Sequence, residues 1–406
     1  MKIINMYRNI PFVIKLVAGL FLGFIIGLLM GDKAQVFSPL GTLFMRLLMM
    51  AAIPLIFFNL MHAVASLNDP KLLGRIGLKI FLYYTATTIL AAIVGVAIAT
   101  AMKPGSSIIL EGNYENTSTA EVPSIVNTII EMVPDNIFQA LSEGNLSCAI
   151  VFSTFVGVAI IFLKNKEKQQ KVVDVLDTIT QIMFQIVKFV LGLAPFGVFA
   201  LVAKTTGTYG SALAGFLIRF IATIILGCLG MIILYCLSIA LLGRNSPFIF
   251  LKKVIPSIVT AFSTASSMAS IPSNLEVSKK LGISEKVYGF TIPLGAQINK
   301  DGLTLLLAVS CVAAGQAIGT GFQLGTIFQM VLMSVLLTYG ASGVPGGSLV
   351  LISLMVETFA FPTEIAGIIS GIFALIEMII CVPNVVGDVA GTFIVDKSEK
   401  SKGRIS

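Results

Sequence analysis

Apolar residues along this chain run in long, nearly unbroken blocks, without the two- or 3.6-residue period of a half-buried strand or helix. Blocks of about twenty residues are what a helix needs to cross bilayer hydrocarbon. They predict spans over residues 12–30, 39–66, 78–101, 147–163, 172–203 and 213–242. After Arg244 the pattern changes. Residues 249–281 are broken at SSMASIPS, 286–318 at NKDG, 322–361 at YGASGVPGGS and 364–396 at PNVVGD. A transmembrane barrel would show short alternating segments instead. The expected class is therefore an all-α polytopic membrane protein.

The order of broken segment, then interrupted helix, occurs twice. Ser266–Pro272 with Asn299 and Asp301 parallels Ser342–Ser348 with Asn384 and Asp388. Gly/Pro-interrupted segments in corresponding positions point to a transporter binding site, because non-helical backbone at membrane depth is tolerated only where protein buries it or it lines a cavity. Freed N–H groups suit an anion, and freed carbonyls and carboxylates suit a cation. Both broken segments are read as re-entrant hairpins, the first entering from inside and the second from outside.

Composition agrees: the 406 residues are 56% hydrophobic and 12% charged, where a soluble domain is about a quarter charged. The N-terminus begins like a signal peptide, but its apolar run is long and ends in GDK, so it reads as the first span. The net charge of +7 is not a nucleic-acid signal. Lys and Arg cluster at 2–15, 71–79, 164–171, 244–253, 279–286 and 397–404, while the polar stretch 103–145 is acidic. The positive-inside rule then places both termini in the cytoplasm and 103–145 outside, in a cell (inner or plasma) membrane. The cysteines are scattered, no cofactor is implied, and His62 reads as a packed or interfacial residue.

The motifs YYTATT (83–88), ASSMASIP (265–272), INKDG (298–302), GASGVPGG (340–347) and NVVGD (384–388) occur in the order found in the dicarboxylate/amino acid:cation symporters, which this chain resembles over nearly its whole length. The resemblance implies eight transmembrane helices plus two re-entrant hairpins in an elevator-type glutamate transporter homologue fold, usually a homotrimer. It divides the chain into scaffold spans over 1–244, with the third span reaching the cation site, a transport core over 245–396 and a tail over 397–406.

It also implies roles. Gly295, Asn299, Asn384 and Asp388 match one sodium site, and Tyr84, Thr87, Thr88, Asn299 and Asp301 another. Carbonyls of Thr338, Tyr339, Ala341 and Gln297 match a third. Independently of any family, a carboxylate near the bilayer centre is expensive unless it is paired or coordinates a cation, and hard cations take oxygen ligands. The plain alternative is a structural ion pair between Lys300 and either aspartate. Ser266, Ser267 and the backbone of 344–347, including Val344 and Gly346, match positions that hold an amino acid's α-carboxylate, although a bare turn would also use such residues. Glu377 matches the position of an aspartate that binds the substrate ammonium.

The departures redirect the substrate. Where acidic-substrate members carry an arginine in the last helix, this chain has Ile380; Leu303 and Cys381 replace threonines, and Ala265 replaces a tip arginine. No guanidinium remains to compensate a second carboxylate. A neutral side chain against Ile380, Leu303, Cys381 and Met268 is expected. Lys300 replaces a methionine and stands as a coupling switch: its ammonium could replace one bound Na+ or make H+ the coupling ion. The expected function is cation-coupled symport of small neutral amino acids, with amino acid, coupling cation and lipid as partners. An intramembrane aspartyl protease using Asp301 and Asp388 is the main alternative, and a transport-deficient receptor or channel of the same fold is another.

Overall fold

The computed structural model describes residues 12–66, 73–108, 130, 133–142, 146–210, 212–341 and 348–401. Within these residues every regular element is helical. The first, α1 (Phe12–Met30), runs through a 3-10 turn into α2 (Ser38–Ala65). Then come α3 (Leu78–Met102), the short α4 (Ile137–Ser142), α5 (Leu146–Ile161), α6 (Lys166–Gly192), α7 (Ala194–Tyr209) and α8 (Ala212–Leu241). The second half comprises α9 (Pro247–Thr264), α10 (Ile271–Lys280), α11 (Glu285–Ile298), α12 (Asp301–Ala317), α13 (Leu324–Tyr339), α14 (Ser348–Thr358) and α15 (Thr363–Lys400). Among the described residues, six stretches are long and apolar enough to cross a membrane: Ala18–Phe44, Arg75–Ser107, Ala212–Leu241, Pro247–Thr264, Glu285–Ala317 and Leu375–Lys400.

The core is organised around α12, where Gln316 alone among its residues escapes full burial. A helix apolar on every side belongs at a centre. It packs on α3, α8, α14 and α15. Gln316 ties its far end to α3, accepting from the Gly105 N–H at 3.0 Å and donating to the Ala99 carbonyl at 3.0 Å. By contrast, α1 docks on α7 through a stripe of small residues. A methyl at Gly19, Gly23 or Gly27 would sit 2.4–2.6 Å from the carbonyl oxygens of Pro195, Phe199 or Ala203. Close backbone approach of this kind is how apolar helices associate without a hydrophobic driving force.

Two predicted elements differ from the structure. The single span over 172–203 is two helices, α6 and α7, with Leu193 between them. Pro195 explains the new start: it has no N–H to give a preceding turn, and it sits in the first turn of α7, where none is needed. Conversely, the last helix is not interrupted at PNVVGD. It runs unbroken through Pro383 to Lys400. The other breaks fall as expected: α9 and α10 flank SSMASIPS with Ala265 in the left-handed region (φ 50°), and α11 and α12 flank Asn299 and Lys300. The tip of the second broken segment, 342–347, lies outside the described residues.

Three of the basic clusters meet at one end of the molecule. The buried Glu399 carboxylate accepts from Lys79 at 2.7 Å and from Arg75. Asp396 accepts from the Ser284 N–H at 2.9 Å, and Lys400 donates to the Gly282 carbonyl at 2.8 Å. The loops before α3 and α11 therefore share a side with the end of α15. Elsewhere, His62 on α2 lies 3.8 Å from Asp177 on α6.

The α1–α7 contact yields a stability prediction. Gly23→Ala is expected to cost about 1–3 kcal/mol by overpacking and to lower the thermal midpoint of the detergent-purified protein. Gly289→Ala, whose methyl meets nothing within 4 Å, should not lower it. Equal midpoints for the two variants would refute the close approach.

Candidate functional site

The site grows from the break between α11 and α12. Asn299 closes α11 by donating its N–H to the Gly295 carbonyl at 2.8 Å, then turns extended (φ −87°, ψ 102°). Lys300 (φ −128°, ψ 46°) completes the break, and Asp301 opens α12, where a carboxylate suits the positive end of the helix dipole. Gly302 is required by what lies opposite. A methyl there would sit 2.0 Å from the Ile380 carbonyl oxygen. Its N–H donates to Asn384 Oδ1 at 2.7 Å, so the break is stitched to the unbroken α15.

Asn299, Asp301 and Asp388 are completely buried, and Lys300 and Asn384 nearly so. Asn299 donates through Nδ2 to the Asn384 carbonyl and to Asp388 Oδ1, both at 3.0 Å. Its own Oδ1 and Asp388 Oδ2 have no hydrogen-bond partner among the described residues. Two orphaned, buried, acceptor-only oxygens on neighbouring side chains are unfavourable as they stand and are a natural pair of cation ligands. Gly295 lies against them, since a methyl there would meet Asp388 Oδ1 and the Tyr84 hydroxyl at 2.5 Å each. The predicted set Gly295, Asn299, Asn384 and Asp388 is thus brought together.

Asp301 is treated differently. Thr88 on α3 donates to its Oδ1 at 2.9 Å, with Thr87 alongside. Tyr235 on α8 donates to its Oδ2 at 2.5 Å. The Tyr84 hydroxyl lies within hydrogen-bond distance of the carbonyls of Thr291 on α11 (3.3 Å) and Asp388 on α15 (3.4 Å), sharing its one proton between those helices. Sequence reasoning missed Tyr235. Its one signal was a phenol in the apolar run IILYCLS, and a buried tyrosine hydroxyl needs a partner.

Lys300 donates through Nζ to the Ala296 carbonyl, one turn back. Its charge faces Asp388 and the Cys381 thiol. The Lys300–Asp388 alternative is therefore present as proximity rather than as a direct salt bridge among the described residues. Lys300's carbonyl also accepts from the Thr304 N–H (2.9 Å), and the Thr304 hydroxyl donates to Thr338 on α13 at 2.9 Å.

The first tip closes over this cluster. Ser266 Oγ accepts from the Ala269 N–H at 3.2 Å, and the Ser266 carbonyl accepts from the Ser270 hydroxyl at 2.9 Å. Ser267's backbone meets Cys381, which also lies near Glu377. Leu303, Ile380, Cys381 and Glu377 are buried, whereas Met268 is 43% exposed at the tip. Val344 and Gly346 lie outside the described residues. Of the carbonyls matched to a third cation position, Thr338's accepts from the Ala341 N–H at 3.0 Å and Ala341's from Asn59 Nδ2 at 3.5 Å.

The geometry gives the protease alternative no support: Asp301 accepts from Thr88 and Tyr235, Asp388 accepts from Asn299, and no hydrogen bond joins the two carboxylates among the described residues.

Comparison with known proteins agrees. Residues 12–398 match the profile of the sodium:dicarboxylate symporter family. A proton/sodium-glutamate symport protein of Bacillus caldotenax is 28% identical over 97% of this chain and 95% of its own length. A proton/glutamate-aspartate symporter of Escherichia coli (strain K12) is 28% identical over 89% and 85%. A C4-dicarboxylate transport protein of Bacillus subtilis (strain 168) is 27% identical over 97% and 94%. These relatives are transport proteins, not enzymes, and this chain belongs to the sodium:dicarboxylate symporter family.

Proposed function

We propose that this protein is a secondary transporter that carries a small neutral amino acid together with a coupling cation. The observation that carries the reading is the charge balance of the buried site. Asp301, Asp388 and Glu377 are all buried, and Lys300, whose charge lies near Asp388, is the one buried ammonium among the described residues. On charge, this set suits a cation at Asp388 and a substrate ammonium near Glu377. A second substrate carboxylate would meet the apolar Ile380 and Leu303, with no cation left to compensate its desolvation. The relatives' names favour glutamate, aspartate or C4-dicarboxylates, and that is the competing reading.

In this assignment Ser266, Ser267 and the backbone around Val344 and Gly346 receive the α-carboxylate, with Asn384 beside them. Glu377 receives the ammonium, and Leu303, Ile380, Cys381 and Met268 wall the side chain. The coupling cation, Na+ or H+, binds at Asp388 and Asn299 with Gly295 and Asn384. The two orphaned oxygens there support it. Tyr84, Thr87, Thr88, Asn299 and Asp301 form a second oxygen-rich position. Lys300 supplies a permanent charge beside Asp388 that relatives without it would obtain from a bound ion.

The architecture follows the same reading: eight spans and two re-entrant hairpins, α9–α10 and α13–α14, in a homotrimer that works as an elevator. The scaffold is drawn mainly from 1–244 and the moving core from 245–396. Both α3 and α8 pack on that core and would travel with it. The gathering of Arg75, Lys79, Lys400 and the loop before α11 at one end supports a common cytoplasmic side for these segments and the C-terminus.

Two experiments test this. In liposomes under imposed Na+ or H+ gradients, purified protein is expected to accumulate serine, alanine or threonine in preference to glutamate; the reverse preference would establish the acidic-substrate reading. Lys300→Met leaves Asp388 uncompensated, at a cost of about 3 kcal/mol. Sodium-free uptake should then fall roughly a hundredfold and be restored by added Na+. Uptake by this variant that is indifferent to sodium would eliminate Lys300 as an ion substitute.

A further inference from the structure

The two carboxylates of the site differ in one respect that the sequence does not show. Asp388 keeps an oxygen without a partner, whereas both oxygens of Asp301 are occupied by protein hydroxyls, Thr88 on Oδ1 and Tyr235 on Oδ2. Tyr235 is built into this role. It is 1% exposed, so its ring is fixed by packing. Its carbonyl accepts from the Ser238 hydroxyl (2.8 Å), which contacts the Tyr83 hydroxyl (3.1 Å). Room for the phenol comes from Gly387 on α15, where a methyl would lie 2.9 Å from the hydroxyl and 2.8 Å from Asn299 Nδ2. A tyrosine has one O–H proton, and here it points at a carboxylate oxygen.

We propose that Tyr235 governs the second cation position: its hydroxyl holds the Asp301 oxygen that a cation there must take, so hydroxyl and cation compete. The first position, at Asp388 and Asn299, is open; the second, at Asp301, opens only when Tyr235 releases Oδ2. Tyr235 is thus a positioning residue for coupling, contributed by α8 rather than by either interrupted helix. The inference rests on the cation-coupled reading above. It adds that the sodium affinity of the second position is set by a protein donor and not by the carboxylate alone. A hydrogen bond to a charged group is strong enough for its removal to change a competing equilibrium by roughly tenfold or more.

The test uses full-length protein in detergent, so that cation binding is read without transport. Thermal unfolding is followed while NaCl replaces choline chloride at constant ionic strength. For Tyr235→Phe, which keeps the ring, the half-stabilising Na+ concentration is expected to fall roughly tenfold. The same substitution on an Asp301→Asn background should change nothing, because the contested oxygen no longer carries the charge. If Tyr235→Phe does not fold, 3-fluorotyrosine at 235, a stronger donor, should shift the concentration upward instead. An unchanged or raised value for Tyr235→Phe, or an equal fall on the Asp301→Asn background, would overturn the proposal. Wild-type liposome uptake with an unchanged sodium response would sink this inference alone. A shifted sodium response without any uptake would sink the transport reading alone.

Discussion

Burial of Asp301, Lys300 and Asp388 in an apolar interior is the constraint on which the rest of this structure depends. Each charge taken out of water must be met by protein groups, and Asp301 is met by the hydroxyls of Thr88 and Tyr235 and Asp388 by the Asn299 amide. The break at Asn299–Lys300 supplies the rest. It frees the Ala296 carbonyl for the Lys300 ammonium and places Asp301 at a helix start. It also turns the Gly302 N–H toward Asn384. The close approach this needs, backbone against the Ile380 carbonyl, explains a glycine at 302. Local conformation, packing and site chemistry are here one requirement seen at three scales.

Much of this was legible in the chain because the physics of hydrocarbon is severe. Long apolar blocks have few structural outcomes, and a Gly, Pro or charged break inside one must be accounted for. The breaks at SSMASIPS and NKDG were read correctly for that reason. PNVVGD was misread because a proline inside a helix removes one hydrogen bond and crowds the preceding turn without having to end the helix. Here α15 continues past Pro383, with the Asn384 carbonyl shared with Asn299 and the glycine at 387 used for space. The α6–α7 junction was missed because apolar composition persists across Leu193, where one helix ends and the next begins. Tyr235 was invisible for a third reason: its role is a contact between elements separated by 66 positions, and nothing local marks it.

The same burial constrains substrate choice. With Lys300 donating to the Ala296 carbonyl and its charge near Asp388, and with Ile380 and Leu303 buried, the proposed reading has the site favour positive charge over further negative charge. Family membership alone does not decide this point. Relatives at 27–28% identity share an architecture, while specificity resides in the few side chains that touch the ligand. In the proposed assignment a zwitterion offers one carboxylate for backbone and hydroxyl donors and one ammonium for Glu377. A dicarboxylate offers a surplus that nothing among the described side chains of the site balances.

Coupling requires that occupancy of the cation site change the equilibrium of an element that has two arrangements. A continuous polar path for this exists. The Lys300 carbonyl accepts from the Thr304 N–H, the Thr304 hydroxyl donates to Thr338, and the Thr338 hydroxyl donates to the Ser334 carbonyl on α13. The end of α13 is then held from two other sides, by Thr85 on Tyr339 at 2.7 Å and by Asn59 on the Gly340 carbonyl at 3.2 Å. α3 thus touches both the Asp301 carboxylate, through Thr88, and the last turn of α13, through Thr85. Those two threonines lie on one helix, so on the proposed reading a cation that draws Asp301 away from Thr88 and Tyr235 would act on the same helix that holds the end of α13. The short path between ion site and hairpin therefore runs through hydroxyls rather than charges. This suits an interior where every additional charge would need a partner of its own.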